Sequence, residues 1–278
     1  MLPASALACR CDVARYPLMV QDAAIKSEGS MFDDLKDKVV VVTGGVTGIG
    51  GAASLAFADT GAKVLAQYLG GGPELAAIEK AGIATLKLDL TEESAPQKLM
   101  DVAIAKFGRI DVLVNNAGSL VGRVPVVDLD DGFIDKVFDL NGRQLIHCCR
   151  IAAKLMKAQG SGNIINVTSI AARNGSSPGG AVYAGTKAFV SAFSKTLAKE
   201  LVGNGIRVNC VSPGTIHTSF HDRFSDEAKR EATRKTIPMQ RLGTAEDCAG
   251  TFLYLASDKA SGYVTGQVIE VNGGQLMA

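Results

Sequence analysis

The sequence lacks the features that indicate a membrane protein or a nucleic-acid-binding protein. No apolar run approaches the ~18 residues that a transmembrane helix needs. Lysine and arginine number 29 against 28 acidic residues, so the formal net charge of +1 offers no general attraction for nucleic acid or an anionic membrane. We therefore expect neither a nucleic acid nor a membrane among the partners.

Signals for disulfides and metal ions are also missing. None of the 6 cysteines forms a C-x-x-C pair, and adjacent Cys148 and Cys149 are poor candidates for a local disulfide, which predicts a reduced, cytoplasmic protein. Among the 3 histidines, His217 and His221 stand four apart, but no third ligand follows at a motif spacing. We expect no metal ion.

Residues 1–30 differ in composition from the remainder of the chain. They contain two cysteines and two prolines and show no sustained hydrophobic period. The acidic residues Asp12, Asp22 and Glu28 argue against a transit peptide. We expect an N-terminal extension over residues 1–30, either disordered or a start-site artefact, followed by a single domain over residues 31–278.

From residue 39 onward, strand patterns alternate with helix patterns. The β-branched run at 39–42 predicts a buried strand, and apolar residues from Ile49 to Phe57 then recur at helical spacing. Further strands are predicted at 63–67, 83–88, 110–114, 163–168, 206–211 and 267–271. This alternation predicts an α/β fold: a single-domain Rossmann-type, doubly wound parallel sheet of about seven strands with helices on both faces.

A glycine turn joins the first strand to the first helix. The spacing Gly44-x-x-x-Gly48-x-Gly50 lets the backbone approach a pyrophosphate, whose charge the helix N-terminus favours, so it predicts nucleotide binding. A carboxylate after the second strand would hold a ribose 2′-hydroxyl and repel a 2′-phosphate. The segment 66–70 contains neither an acid nor a base, and Thr47 is neutral. NAD and NADP both stay open, with NADP favoured.

Tyr183 and Lys187 stand four apart at the start of a predicted helix, in Tyr-Ala-Gly-Thr-Lys. That spacing places both side chains on one helix face. A phenol titrates near ~10, and a neighbouring cation pulls its pKa toward neutrality. The pair is therefore a candidate for proton transfer, with two unrelated residues on a solvated helix as the alternative.

Taken together, the motifs resemble the short-chain dehydrogenase/reductase family, over roughly residues 36–274. Within that family, the pattern is similar to 3-oxoacyl-carrier-protein reductases and to sugar- or polyol-oxidising members. The segments with the resemblance are Thr43-Gly44-x-x-x-Gly48-Ile49-Gly50, Asn115-Asn116-Ala117-Gly118, Phe138-Asp139-Leu140-Asn141, Ser169, Tyr183-x-x-x-Lys187, Pro213-Gly214-Thr215-Ile216-His217-Thr218, and 265–274.

The resemblance implies a role for each of four catalytic residues. Tyr183 would exchange a proton with the substrate oxygen, and Lys187 would lower the pKa of Tyr183 and hold the nicotinamide ribose. Ser169 would hydrogen-bond the substrate oxygen, and Asn141 would support a water chain to solvent. The implied cofactor-binding residues are Gly44, Thr47, Gly48, Ile49, Gly50, Tyr68, Asp89, Leu90, Asn115, Asn116, Ala117, Gly118, Tyr183, Lys187, Pro213, Gly214, Ile216 and Thr218.

The implied activity is NAD(P)-dependent hydride transfer between nicotinamide and a carbonyl or secondary alcohol, with 3-oxoacyl-carrier-protein reduction as the leading hypothesis. The alternatives are a sugar or polyol dehydrogenase working oxidatively and a catalytically silent nucleotide sensor, against which the intact catalytic set argues. The resemblance also implies a homotetramer, formed through long helices at about 133–157 and 183–202.

The substrate is expected beyond the carboxyl ends of the strands, among the loops Ser119–Val127, Ile170–Val182 and His217–Thr236. The charged stretch 226–235 predicts a helical lid, and the segment 176–180 predicts a flexible wall. Arg173 and Arg223 are candidates for contacting an anionic substrate, with solvated surface roles as the alternative.

Overall fold

The structure is a computed structural model that describes residues 31–218 and 227–277. The predicted extension at residues 1–30 lies outside this part of the chain. So do His221, Arg223 and Phe224 of the third predicted substrate loop.

Seven parallel strands form one sheet, in the order β3-β2-β1-β4-β5-β6-β7. This confirms the predicted doubly wound fold and its strand count. The strands are β1 (Val39–Thr43), β2 (Lys63–Tyr68), β3 (Ala84–Lys87), β4 (Val112–Asn115), β5 (Gly162–Val167), β6 (Ile206–Pro213) and β7 (Val268–Val271).

Helices connect the strands and cover both faces of the sheet. They are α1 (Gly48–Asp59), α2 (Glu74–Lys80), α3 (Ala95–Phe107), α4 (Asp131–Phe138), α5 (Gln144–Gln159), α6 (Ala171–Asn174), α7 (Ala181–Leu201), α8 (Glu227–Thr236), α9 (Ala245–Ala256) and α10 (Asp258–Ser261). No helix in residues 31–218 or 227–277 is long and apolar enough to cross a membrane.

Successive side chains of β1 enter two separate hydrophobic clusters. Val41 packs into the cluster that includes residues of α3, α5 and α7, whereas Val40 and Val42 pack into the one that includes Phe57 of α1 and Phe252 of α9. A strand covered on both faces needs apolar residues at every position, which explains the uninterrupted valine run.

The predicted long helix at 133–157 is interrupted by a π-helical turn at Asp139–Arg143, between α4 and α5. Asn141 lies in this turn and is buried, and its Nδ2 donates to Val137 O at 2.9 Å and to Ser119 O at 2.8 Å. Wide turns of this kind occur often at functional sites. The amide of Asn141 therefore joins the turn to the loop after β4.

The direction of strand addition reverses between β1 and β4, which lie side by side at the centre of the sheet. In open parallel sheets, the loops beyond the carboxyl ends of two such strands diverge and leave a crevice. The glycine turn follows β1 and the segment Asn115–Gly118 includes the end of β4, so both lie at this switch point.

Candidate active site

The glycine turn makes an anion site at the N-terminus of α1. Gly44 and Gly48 have left-handed φ values of 59° and 53°, and a Cβ on Gly50 would collide with the carbonyl oxygen of Gly44. Thr47 precedes the helix, and its side chain makes no capping hydrogen bond. The first N–H groups of a helix have no intrahelical partner, so the turn offers donors to a phosphate.

The chain after β4 supports the turn from the neighbouring strand. The Thr43 hydroxyl accepts from the backbone N–H groups of Asn116 and Ala117, both at 3.0 Å. The Asn116 side-chain amide donates to the carbonyls of Thr43 at 3.1 Å and Gly44 at 3.0 Å. Asn116 and Ala117 therefore hold the shape of the turn, together with Thr43, which begins the predicted cofactor motif but was not among the predicted cofactor-binding residues.

Asn115 has a different environment from the rest of its motif. Its amide is buried and donates to Asn166 Oδ1 at 2.9 Å and to Cys149 Sγ at 3.2 Å. The side chain thus ties β4 to β5 and α5. Any contact of Asn115 with a cofactor would use its main chain.

Gln67 is a residue of this site that sequence reasoning missed. Its buried amide accepts from the Gly44 N–H at 2.9 Å and donates to the Leu88 carbonyl at 2.6 Å. It therefore connects the ends of β1, β2 and β3 beside Tyr68. A polar residue in an otherwise apolar strand was the available signal.

Two other predicted cofactor-binding residues at this edge of the sheet, Asp89 and Leu90, have different surroundings. Asp89 is engaged locally, since its Oδ1 accepts from the Thr91 N–H at 2.9 Å and hydroxyl at 2.7 Å. Leu90 is buried in the core. A Cβ on Gly72 would lie 3.7 Å from Thr47 Cγ2, so the loop after β2 approaches the glycine turn beside Tyr68.

At the opposite end of the crevice, Gly118, Asn141 and Lys187 converge from three elements. A Cβ on Gly118 would lie 2.7 Å from Asn141 Oδ1 and 3.2 Å from Lys187 Nζ. The Ser119 N–H donates to the same Asn141 oxygen at 3.1 Å. The structure thus brings together two predicted catalytic residues and the last glycine of the β4 motif.

Tyr183, Ser169 and Lys187 form one cluster where α7 crosses the end of β5. The Ser169 hydroxyl is hydrogen-bonded to that of Tyr183. Lys187 Nζ lies 5.8 Å from the centroid of the Tyr183 ring and donates to the Val167 carbonyl at 2.9 Å. The four-residue spacing therefore places both side chains on one face, as predicted.

The pKa values of the pair are set by burial. Desolvation raises the pKa of Tyr183 to about 12 even though the hydrogen bond to Ser169 acts in the opposite direction. Burial lowers the pKa of Lys187 to about 8. The raised pKa of Tyr183 reflects desolvation, and the lowering effect of Lys187 stays a prediction. At neutral pH the phenol is protonated and Lys187 is largely charged.

The predicted nicotinamide-side loop after β6 spans the crevice. The Pro213 carbonyl accepts from the Ile170 N–H at 3.0 Å, and the Gly214 N–H donates to the Val271 carbonyl at 2.9 Å. At the far end of the loop, a Cβ on Gly48 would lie 3.3 Å from Thr218 Cγ2, while buried Ile216 is bridged to Gly243. The loop thus runs from the end of β6, beside Ile170, to the glycine turn.

The predicted flexible wall is anchored. Arg123 donates to the carbonyls of Ser177 and Pro178, both at 3.4 Å, and the Val124 N–H donates to the Gly179 carbonyl at 3.0 Å. Two of the predicted substrate loops are therefore joined. Arg173 forms an ion pair with Glu270 at 3.7 Å, which places it toward β7.

The remaining substrate loop contains the predicted helix, observed at Glu227–Thr236 with no buried residue. The His217 N–H donates to the Gly243 carbonyl at 2.8 Å, and His221 lies outside the described residues. Within residues 31–218 and 227–277, no three histidine, cysteine or acidic side chains are grouped so that they could hold a metal ion.

The site fits a dinucleotide cofactor. The glycine turn and uncapped helix N-terminus suit a pyrophosphate, and the absence of a side chain at Gly118 lets Asn141 and Lys187 pack closely against the backbone at the other end of the crevice. A parallel sheet with this site at its switch point, and a phenol, a hydroxyl and an ammonium beside it, defines a nucleotide-dependent oxidoreductase.

Comparison with known proteins identifies the family. A family model described as Enoyl-(Acyl carrier protein) reductase matches residues 44–275. The chain is 38% identical over 253 residues to a 3-oxoacyl-[acyl-carrier-protein] reductase of Synechocystis sp., with 87% of this chain and 98% of the relative covered. The chain belongs to the short-chain dehydrogenase/reductase family.

Two further similarities agree with this assignment. The 3-oxoacyl-[acyl-carrier-protein] reductase FabG of Thermotoga maritima is 37% identical over 248 residues, covering 87% of this chain and 99% of the relative. The solved NADH-dependent reductase A1-R′, responsible for alginate metabolism, is 35% identical with a TM-score of 0.80, covering 88% of this chain and all of that one. Its complex with NAD gives a TM-score of 0.78.

Gly118→Ala tests the crowding at the nicotinamide end. The new methyl group would meet Asn141 and Lys187, so at least one must move, and displacements near 1 Å cost up to ~10²-fold in rate. We expect kcat to fall by about 10- to 100-fold in a cofactor-dependent assay. Gly250→Ala, on the exposed side of α9 with nothing within 4 Å, is the matched control and should retain full activity. Equal activity of the two variants would contradict the predicted crowding.

Proposed function

We propose that the chain reduces the 3-oxo group of an acyl thioester held on a carrier protein, using NADPH or NADH. The observation that supports this most directly is the hydrogen-bonded Ser169–Tyr183 pair beside Lys187, because two hydroxyls can then meet one substrate oxygen. The names of the Synechocystis and Thermotoga relatives support the substrate class.

In this proposal, the chain binds, orients and protonates, and the bound cofactor supplies the hydride at the nicotinamide ring. The glycine turn would hold the pyrophosphate, and the segment from Asn116 to Gly118 would line the crevice. Tyr68 and Thr47, which both lie against the loop after β2, would contact the adenosine ribose. Lys187 would hold the nicotinamide ribose, and Thr218 would contact the nicotinamide amide.

Proton transfer would start from the protonated phenol of Tyr183. Ser169 would donate a hydrogen bond to the carbonyl oxygen, which polarises the carbonyl and orients it toward Tyr183. Tyr183 would then give its proton to that oxygen as charge develops on it. Lys187 would stabilise the phenolate that remains, and Asn141, which lies next to Lys187, would support its reprotonation from solvent.

The neutral phenol is the form of Tyr183 that the proposed reduction uses. Reduction needs the neutral phenol, which a pKa raised to about 12 maintains at neutral pH, whereas oxidation of an alcohol needs the phenolate. A sugar-type substrate is the second candidate, since reductase A1-R′ takes part in alginate metabolism. The family description names an enoyl reductase. Two hydroxyls that can hydrogen-bond one substrate oxygen fit the reduction of a carbonyl better than the reduction of a carbon–carbon double bond.

The cofactor preference and the assembly are part of the proposal. No carboxylate stands at 66–70, which favours NADP, although reductase A1-R′ is NADH-dependent. We propose a homotetramer, because the ring centroids of Phe138 and Phe189, and of Phe189 and Phe193, lie 5.7 Å apart in a partly exposed group on α4 and α7. All four cysteines in the described part of the chain, Cys148, Cys149, Cys210 and Cys248, are free, which agrees with a reducing, cytoplasmic setting.

A substrate panel tests the proposed function. The protein is mixed with NADPH or NADH and, in separate reactions, a 3-oxoacyl thioester, an enoyl thioester and a keto-sugar acid, and the absorbance of the reduced cofactor is followed. We expect the highest kcat/KM with the 3-oxoacyl thioester. Turnover of the enoyl thioester or the keto-sugar acid alone would contradict the proposed substrate class.

Tyr183→Phe should retain the fold and bind cofactor while losing turnover. A placed proton donor contributes about 10²–10⁴-fold, so we expect kcat to fall by that factor with the cofactor Kd nearly unchanged. Fluorescence titration of the cofactor provides the binding control. Turnover like that of the wild-type protein would remove Tyr183 from the mechanism.

Tyr68→Asp should shift the preference toward NAD. A carboxylate there would accept a hydrogen bond from a ribose 2′-hydroxyl and repel a 2′-phosphate. We expect the NADPH to NADH ratio of kcat/KM to fall by about tenfold or more, which is ~1.4 kcal/mol. Tyr68→Asn is the neutral control of the same shape. If both variants change the ratio equally, charge repulsion at this position is refuted.

A further inference from the structure

Three successive residues at the end of β5 contact α7 at Tyr183 and Lys187. The Val167 carbonyl accepts from Lys187 Nζ at 2.9 Å, and the Ser169 hydroxyl is bonded to the Tyr183 hydroxyl. Between them, the Thr168 hydroxyl donates to the main-chain carbonyl of Lys187 at 2.8 Å. Val167 contacts Lys187 through its main chain, and Ser169 takes part in the proposed chemistry. Thr168 is therefore the one of these three residues whose side chain has no role assigned so far.

Thr168 is itself held firmly. Its backbone N–H donates to the Val211 carbonyl of β6 at 2.9 Å, and the residue is 2% exposed. Its hydroxyl also lies 2.8 Å from the hydroxyl of Ser191, which in turn donates to the Lys187 carbonyl at 3.1 Å. Of the three oxygen-bearing groups in this cluster, those of Ser191 and Lys187 belong to α7. The Thr168 hydroxyl is the one that connects the helix to the sheet.

The start of α7 depends on such connections. The residue before the helix, Gly180, provides no side-chain cap. Further along the helix, Asn166 donates to the Ser194 hydroxyl at 2.8 Å. Asn166 lies in β5 and Thr168 directly follows the strand, and side chains two residues apart on extended chain point to the same face. Side-chain hydrogen bonds of Asn166 and Thr168 therefore connect this face to α7, and those of Thr168 are the nearer to Tyr183.

We propose that Thr168 is a positioning residue that sets the depth of α7 against the end of β5, and thereby the geometry of Tyr183, Lys187 and Ser169. The inference rests on the proposed carbonyl reduction. Removal of the Thr168 hydroxyl leaves the Lys187 carbonyl bonded within α7, through Ser191, so the helix persists but loses this one contact with the end of β5, while the Asn166–Ser194 contact remains. A reacting group misplaced by about 1 Å costs up to ~10²-fold in rate.

The test compares Thr168→Val, which preserves shape and removes the hydroxyl, with Thr168→Ser, which keeps the hydroxyl. Ser191→Ala is the matched control because it removes a hydroxyl from the same carbonyl but from within α7. We expect Thr168→Val to lower kcat by about 10- to 100-fold, with KM for the carbonyl substrate within about twofold of the wild-type value. Thr168→Ser should restore most of kcat, and Ser191→Ala should stay near the wild-type value.

Wild-type kcat in Thr168→Val, or an equal loss in Ser191→Ala, would overturn the inference. Crystal structures of the variants provide a readout that does not require turnover. In Thr168→Val, the 2.9 Å contact between Lys187 Nζ and the Val167 carbonyl should be broken, whereas in Ser191→Ala it should persist. If Thr168→Val does not fold, Thr168→Ala is measured in its place against Thr168→Ser. If the wild-type protein turns over no carbonyl substrate, the proposed function is wrong. The contact distances in the variant structures still test the role of Thr168 in that case.

Discussion

The desolvation of Tyr183 and Lys187 is the constraint on which the proposed chemistry depends. Burial raises the pKa of the phenol and lowers the pKa of the ammonium, so each group favours its neutral form more than it would in water. A protonated phenol next to a cation whose pKa stays above neutrality can release its proton to a substrate oxygen. Until negative charge develops on that oxygen, the raised pKa keeps the proton on Tyr183.

The sheet creates this environment by bringing distant segments together at its switch point. The glycine turn after β1 is shaped by Thr43, Asn116 and Gln67, which come from three neighbouring strand ends. At the other end of the crevice, the π-turn that interrupts the helical segment after β4 brings Asn141 against Lys187. The same parallel architecture therefore provides both the proposed phosphate site and the proposed proton donor.

Local patterns allowed much of this to be predicted from the sequence. The structure confirms two predictions that depend only on residues close together in the chain. The four-residue spacing places Tyr183 and Lys187 on one helix face, and the valine run before the glycine turn forms a buried strand. The role of Gln67 depends on a contact with Gly44, 23 residues away, and that of Thr43 on Asn116, 73 residues away. The net direction of the Tyr183 pKa shift depends on burial, which the four-residue spacing does not reveal.

The most direct test of the central claim is the pH dependence of kcat/KM for carbonyl reduction. The Lys187 pKa is lowered to about 8, so its charge is present below that pH and is lost above it, while Tyr183 stays protonated throughout this range. The account predicts a rate that is level through neutral pH and falls as pH rises past about 8. A reductive rate that increases with pH from neutrality upward would mean that the phenolate is the active form, and would contradict the account.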